Sequence, residues 1–238
     1  CYIILSLLFF VNISFSQKTY KQQIYEAYIK SDMESWKNVV DKMENISGKS
    51  NNFKLELLNY QYGYIAWCIG NKKTDEAKKY LEKANKNLLE FEKIGFQTAY
   101  INAYKSAFLG FEIGLNSVKA PFLGPQSIDY AEKSVKTDEN NYFGYIQLGN
   151  IDFYMPPIFG GSKTRAIEYY RKAQKIMENK HDYITNNWNY LSLLVTIAQA
   201  YTEINYTNTA KNYYKKILEI EPDFDWGKNE LYPNLENM

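Results

Sequence analysis

Residues 194–222 read LVTIAQAYTEINYTNTAKNYYKKILEIEP. Ala198 sits in an apolar stretch that includes Ile197 and Tyr201; after a short polar turn, Ala210, Tyr214 and Ile217 follow at spacings of four and three, and Pro222 closes the segment. Steps of three and four put side chains on one face of an α-helix. The alternation small, large, small on that face lets a second helix approach closely. Pro222 lacks a backbone N–H and cannot continue the helix. The segment therefore predicts two antiparallel helices packed through Ala198 and Ala210.

The second half of this pattern recurs upstream. Ala166, Tyr170 and Ala173 repeat it, as do Ala77, Leu81 and Ala84, and a weaker copy is Ser127, Ala131 and Ser134 before the turn Asp138-Glu139-Asn140-Asn141. The copies recur roughly every 40–50 residues, a period that marks stacked helical units. Earlier helices carry Tyr145, Leu148 and Gly149 in one unit and Asn59, Tyr62 and Gly63 in another. The small residue predicts close contact between the two helices of each hairpin. The periodicity predicts helices near 18–30, 33–46, 53–69, 75–93, 97–117, 127–137, 142–154, 163–179, 185–204 and 207–220, with stops at Ser47-Gly48, Gly70-Asn71, Gly95 and Pro222.

These residues resemble the tetratricopeptide repeat: a first helix with an aromatic, a Leu-Gly pair and a Tyr, then a second with Ala, an aromatic, Ala and Pro. Residues 194–222 fit best, and the likeness extends clearly over about 53–222. The resemblance implies an all-α, right-handed α-solenoid of about five hairpins, near 18–47, 53–93, 97–138, 141–180 and 185–222. Residues 223–238, with Trp226, Tyr232 and Pro233, are expected to cap the open core of the last hairpin. The resemblance implies a binding scaffold for a protein or peptide rather than a catalyst. A second likeness lies in the Phe-Gly-Gly start of a helix followed by Ala-Tyr-Ala. It is similar to the helical T component of tripartite ATP-independent transporters and would imply a solute-handling accessory.

Composition narrows the partners. Lys plus Arg number 28 against 27 Asp plus Glu, so no basic excess exists to condense on nucleic acid. The 23 tyrosines fit two uses, half-buried helix faces or a recognition groove. Tyr2 to Val11 is almost continuously apolar and is followed by Ser14-Phe15-Ser16. A short apolar run before small residues two apart predicts a signal peptide over residues 1–16 and a periplasmic or secreted chain from 17 to 238. No later segment predicts a membrane span. Cys68, between Trp67 and Ile69, is expected as a small core residue.

No convergent catalytic set emerges. His181 is the single histidine, and no nucleophile elbow, phosphate loop or zinc motif occurs, so neither enzyme activity, metal nor cofactor is expected. Two regions are candidates for binding. The inner face of the first helices is expected to present Tyr60, Tyr64, Trp67, Ile146, Asn150, Phe153, Tyr154 and Gln199. That face is aromatic and mostly uncharged, which suits an apolar or extended peptide, and with Ile146 and Phe143 at the neighbouring places no carboxylate clamp is expected. The second region is a pair of matching connections, Ala120–Pro125 and Met155–Gly161, each running Pro, two large apolar residues, Gly. They are expected as loops on one rim, carrying Phe122 and Leu123, and Ile158 and Phe159. They either fold over their own hairpins or grip a partner.

Overall fold

In a computed structural model, residues 18–233 are described. They form eleven α-helices: α1 (Tyr20–Ile29), α2 (Met33–Glu44), α3 (Asn51–Gly70), α4 (Thr74–Ile94), α5 (Thr98–Leu115), α6 (Ala120–Thr137), α7 (Tyr142–Tyr154), α8 (Lys163–Glu178), α9 (His181–Ile184), α10 (Trp188–Glu203) and α11 (Thr207–Ile220). The proposed signal peptide lies outside the described residues. Helix starts follow local chemistry. Thr19 and Gln22 form a capping box at α1, and the side chains of Asp32, Ser50, Asn141, Ser162 and Asn187 each accept a backbone N–H of the following turn. Such caps satisfy donors that a helix start leaves orphaned.

The helices pair as α1/α2, α3/α4, α5/α6, α7/α8 and α10/α11, an all-α solenoid of five hairpins. The small-large-small faces are its core. Ala77, Ala84, Ala131, Ser134, Ala166, Tyr170, Ala173, Ala210 and Ile217 are all fully buried. Gly149 is small because a Cβ there would sit 2.4 Å from the Tyr170 ring, its own hairpin partner. Gly63 differs from expectation. A Cβ there would meet Trp36 at 2.6 Å and Trp188 at 2.8 Å, so its smallness serves α2 and the start of α10, not α4. Cys68 is buried, and burial pushes its thiol up to about 11.

Three hairpins turn by one device. Ser31, Lys72 and Asn205 adopt positive φ. After each, an N–H reaches back five residues: Asp32 to the Ala27 carbonyl at 2.9 Å, Lys73 to Cys68 at 2.8 Å and Tyr206 to Tyr201 at 2.9 Å. This is the Schellman ending of a helix. The α5–α6 and α7–α8 connections depart from it.

The two ends of the solenoid meet. α1 packs on α10. The Tyr25 hydroxyl donates to Glu221 at 2.8 Å, Tyr28 stacks on Phe224 at 5.4 Å, and Trp36 lies edge-on to Trp188 at 4.9 Å. The C-terminal segment thus does more than cap α11, because fully buried Phe224 clasps the N-terminal hairpin. Tyr62 continues the aromatic column, with Trp188 at 6.3 Å, Phe143 at 5.0 Å and Phe111 stacked at 5.3 Å. Of the expected inner face, Tyr60 joins this closure, edge-on to Trp36 at 6.5 Å. Among the described residues, no helix is long and apolar enough to cross a membrane.

Candidate binding surface at the mouth of the solenoid

Hairpin alternation puts every connection from an inner to an outer helix at one end. The C-terminal ends of α3 and α5 adjoin there, where a Cβ on Gly114 would lie 3.7 Å from Ile69. Val118, Phe122, Tyr154, Ile158, Phe159 and Tyr206 are large apolar side chains between 61 % and 86 % exposed, and all six lie in or beside the α5–α6, α7–α8 and α10–α11 connections. The other exposed large apolar residues of the described chain are Ile46, Leu89, Ile94 and Ile220, scattered singly as is ordinary on a protein surface.

The α5–α6 connection corrects the expectation of a loop over Ala120–Pro125. Those residues open α6, and the chain turns instead through a 3-10 turn at Ser117–Lys119, capped by the Asn116 side chain on the Val118 N–H. Pro121 falls in the first helical turn, where no N–H is required. Pro125 lies inside the helix, and the Gln126 side chain bonds the Phe122 carbonyl at 3.0 Å beside it. Phe122 and Leu123 are therefore helical; Phe122 is exposed and Leu123 half-buried. Val118 joins the rim, unforeseen because nothing in its polar neighbours marks it.

The α7–α8 connection is a loop, as expected, and a stiff one. Phe159, Gly160 and Gly161 each donate a backbone bond to Pro156 or Pro157, and the Ser162 N–H reaches the Asp152 carbonyl at 3.0 Å. Arg165 binds the carboxylate of buried Asp152 through Nε and Nη2 and the Gly160 carbonyl at 2.6 Å. The backbone is stapled on its inner side while Ile158, 86 % exposed, and Phe159 point outward. Neither ring of Phe122 or Phe159 is packed within its own hairpin.

The inner-face candidates divide. Tyr60 and Tyr64 are buried and face no partner: the Tyr60 carbonyl accepts from Trp36 Nε1 at 2.9 Å, and Tyr64 packs edge-on to Tyr80 of α4 at 4.9 Å. The reason is tertiary, since α3 is covered by α2, α4 and the start of α10 at once. Trp67 is half-buried, stacked on Tyr64 at 5.7 Å with Lys73 Nζ 4.5 Å over its ring. Ile146, Asn150, Phe153 and Gln199 are half-buried and Tyr154 is open. The structure brings Phe153 and Tyr154 together at 5.0 Å beside the Ile158–Phe159 loop.

Two residues of this mouth were not foreseen. Tyr62 lies at its floor, half-buried, and Gln147, a buried residue of α7, accepts from Asn150 at 3.3 Å while its Nε2 has no partner. Tyr62 belongs to the helix face expected to contact a neighbour, and nothing in the sequence around Gln147 marks it. The Tyr170 hydroxyl donates to Asn150 at 2.9 Å. Burial raises the pKa of Tyr62 and of Tyr170. Partial desolvation also raises that of Tyr154, although the residue is 76 % exposed. The phenols thus stay protonated and the mouth is neutral. Its cations are engaged: Lys163 lies 3.5 Å over Phe153 and 3.9 Å from Glu203, and Arg165 is held by Asp152. Among the described residues, no cluster of three or more His, Cys, Asp or Glu could hold a metal.

Fold and mouth together define the class: an all-helical hairpin solenoid with a neutral aromatic opening at one end. Residues 191–224, the stretch containing the last hairpin, match the tetratricopeptide repeat family. No curated protein matches the chain. A similar solved structure is the HusA haemophore from Porphyromonas gingivalis, at 16 % identity and a TM-score of 0.60, covering 77 % of this chain and 90 % of that one. At that identity the likeness concerns the fold.

Proposed function

We propose that this protein is an exported, non-enzymatic binding scaffold that holds an extended protein or peptide segment at the mouth formed by α7, α10 and their connections. The observation that carries this reading is Tyr154, an open aromatic ring that shares one face of α7 with Ile146, Asn150 and Phe153. Aromatic surface gives a peptide side chain contact area at low entropic cost, while neutral amides and phenols pair with peptide groups. Export rests on the apolar run Tyr2–Val11 and on Ser14-Phe15-Ser16. The solute-handling alternative finds less support, because the rings of Tyr62, Trp188, Trp36 and Phe143 fill the space between the inner helices.

The test is selection of peptides on the whole chain, followed by titration of the best of them. Tyr154→Ala with Asn150→Ala is expected to weaken binding about thirtyfold or more, the effect of a hot spot worth about 2 kcal/mol, with an unchanged melting temperature. Unaltered affinity would place the partner elsewhere. A haemin titration belongs beside it, since the similar fold is a haemophore and Tyr154 is an open phenol in an apolar setting. A Soret shift lost in Tyr154→Phe would favour that ligand over a peptide.

A further inference from the structure

We infer that Gln147 is a recognition residue for a neutral carboxamide, the side chain of an asparagine or glutamine on the bound peptide. The inference rests on the peptide reading for the kind of ligand and adds the group that the site selects. Three side chains form a hydrogen-bonded chain that ends open. The Tyr170 hydroxyl donates to Asn150 Oδ1 at 2.9 Å, and Asn150 Nδ2 donates to Gln147 Oε1 at 3.3 Å. Gln147 is only 3 % exposed, and its Nε2 is left as the one buried side-chain polar atom without a partner among the described residues. Turning both amides over would leave Oε1 unpaired in its place, so the chain ends open in either sense. A carboxamide carries both a donor and an acceptor and pairs with either end.

A buried amide without a partner costs the folded chain stability, and native interiors leave few of them. The one bond that holds the Gln147 carboxamide is long for an N–H···O contact. A ligand amide entering beside half-buried Asn150 would exchange this poor arrangement for a paired one. The surroundings select a neutral group. Tyr62 of α3 lies beside both amides, which donate towards its oxygen and oppose the effect of burial on its pKa. Donors on that oxygen leave the phenolic proton for another acceptor. The nearby cations are engaged, Arg165 by Asp152 and Lys163 over the Phe153 ring, so a carboxylate would be desolvated without a charge to pair it. A main-chain carbonyl stays close to the peptide's own backbone, whereas an Asn or Gln side chain reaches a buried atom. Tyr154, one turn beyond Asn150, offers its open ring to the stem of that side chain.

The experiment uses the whole, isotope-labelled chain and nuclear magnetic resonance. The side-chain amide signals of Gln147 are those missing from the spectrum of Gln147→Met. Propionamide should move them selectively among the side-chain amides, and propionate should not. Peptides selected on the chain should share an Asn or Gln at one position. Its change to Leu should weaken binding about tenfold, the effect of one buried hydrogen bond. In Gln147→Met the same peptide change should matter little, since a double-mutant cycle registers a direct contact. Gln147→Met should itself melt no lower than the parent, because it removes an unpaired group. Signals unmoved by propionamide, an equal response to propionate, or additive losses in the cycle would each overturn the inference. So would a lower melting temperature with unchanged peptide affinity, which would mean that an internal water completes the bonds of Gln147. The peptide reading fails separately, if no selected peptide depends on Tyr154; propionamide then still decides the role of Gln147.

Discussion

Three glycines with similar sequence surroundings have different futures under substitution. The methyl that alanine adds would lie 2.6 Å from a ring at Gly63 and 2.4 Å from one at Gly149, whereas a Cβ on Gly110, within α5, meets nothing within 4 Å. Alanine in a helix gains about 1 kcal/mol over glycine. At Gly110 that gain stands alone, so Gly110→Ala should raise the urea midpoint. At Gly63 the methyl must displace two buried rings, Trp36 and Trp188, and overpacking costs about 1–3 kcal/mol, so Gly63→Ala should lower it; Gly149→Ala should do the same against Tyr170. Equal shifts for Gly63→Ala and Gly110→Ala would mean that α2 and α10 do not close on α3. At this scale the sequence was informative for small residues within a hairpin, as Gly149, Ala166 and Ala210 demonstrate. It was uninformative for Gly63, Tyr60 and Tyr64, because their neighbours come from helices distant in sequence.

Individual helices were legible where apolar spacing and caps agreed, as for α7 and α11. The misreading fell on α6, where Pro121 and Pro125 suggested a loop. Proline is excluded from a helix by the N–H it lacks and by its clash with the preceding turn; neither objection holds for Pro121 in the first turn, while Pro125 lies further inside the helix, where the Gln126 side chain bonds the Phe122 carbonyl. The joints between helices carry their own prediction. Glu178, at the end of α8, accepts from Tyr190 of α10 at 2.7 Å, from Lys216 of α11 at 2.6 Å and from Gln174 at 2.8 Å. Burial works against its charge, but these bonds win and hold the carboxyl below its usual pKa. A carboxyl depressed in the folded state adds stability above its unfolded value, about 4.3, and that stability is lost as pH falls through the folded value. Glu178→Gln should therefore be less stable than the parent at neutral pH, and the gap in urea midpoints should shrink as the medium becomes more acid than about pH 4. A gap that stays constant with pH would assign the loss to geometry instead of charge.

Repeat periodicity describes only contacts between neighbours, which is why the closure of the whole molecule could not be read from it. An open solenoid has nearest-neighbour stability, and damage to its last unit stays local. Here the last unit touches the first: Phe224, with no exposed surface, stacks on Tyr28, and Tyr25 bonds Glu221. Truncating a buried phenylalanine to alanine typically costs about 3–5 kcal/mol, and in this arrangement the loss is shared between chain ends almost two hundred residues apart. Phe224→Ala should therefore speed amide hydrogen exchange in α1 and α2 as well as in α10 and α11, and leave α5 and α6 close to the parent. Ile220→Ala, a partly exposed position on α11 outside the clasp, serves as the reference and should act on its own hairpin alone. If Phe224→Ala also accelerates exchange only in α10 and α11, the ends do not support each other and the protein behaves as an open solenoid. If α1 and α2 respond with them, the aromatic column from Phe224 through Trp188 to Tyr62 is one cooperative unit. It would then hold the wall carrying Asn150 and Tyr154 in the shape that the mouth requires.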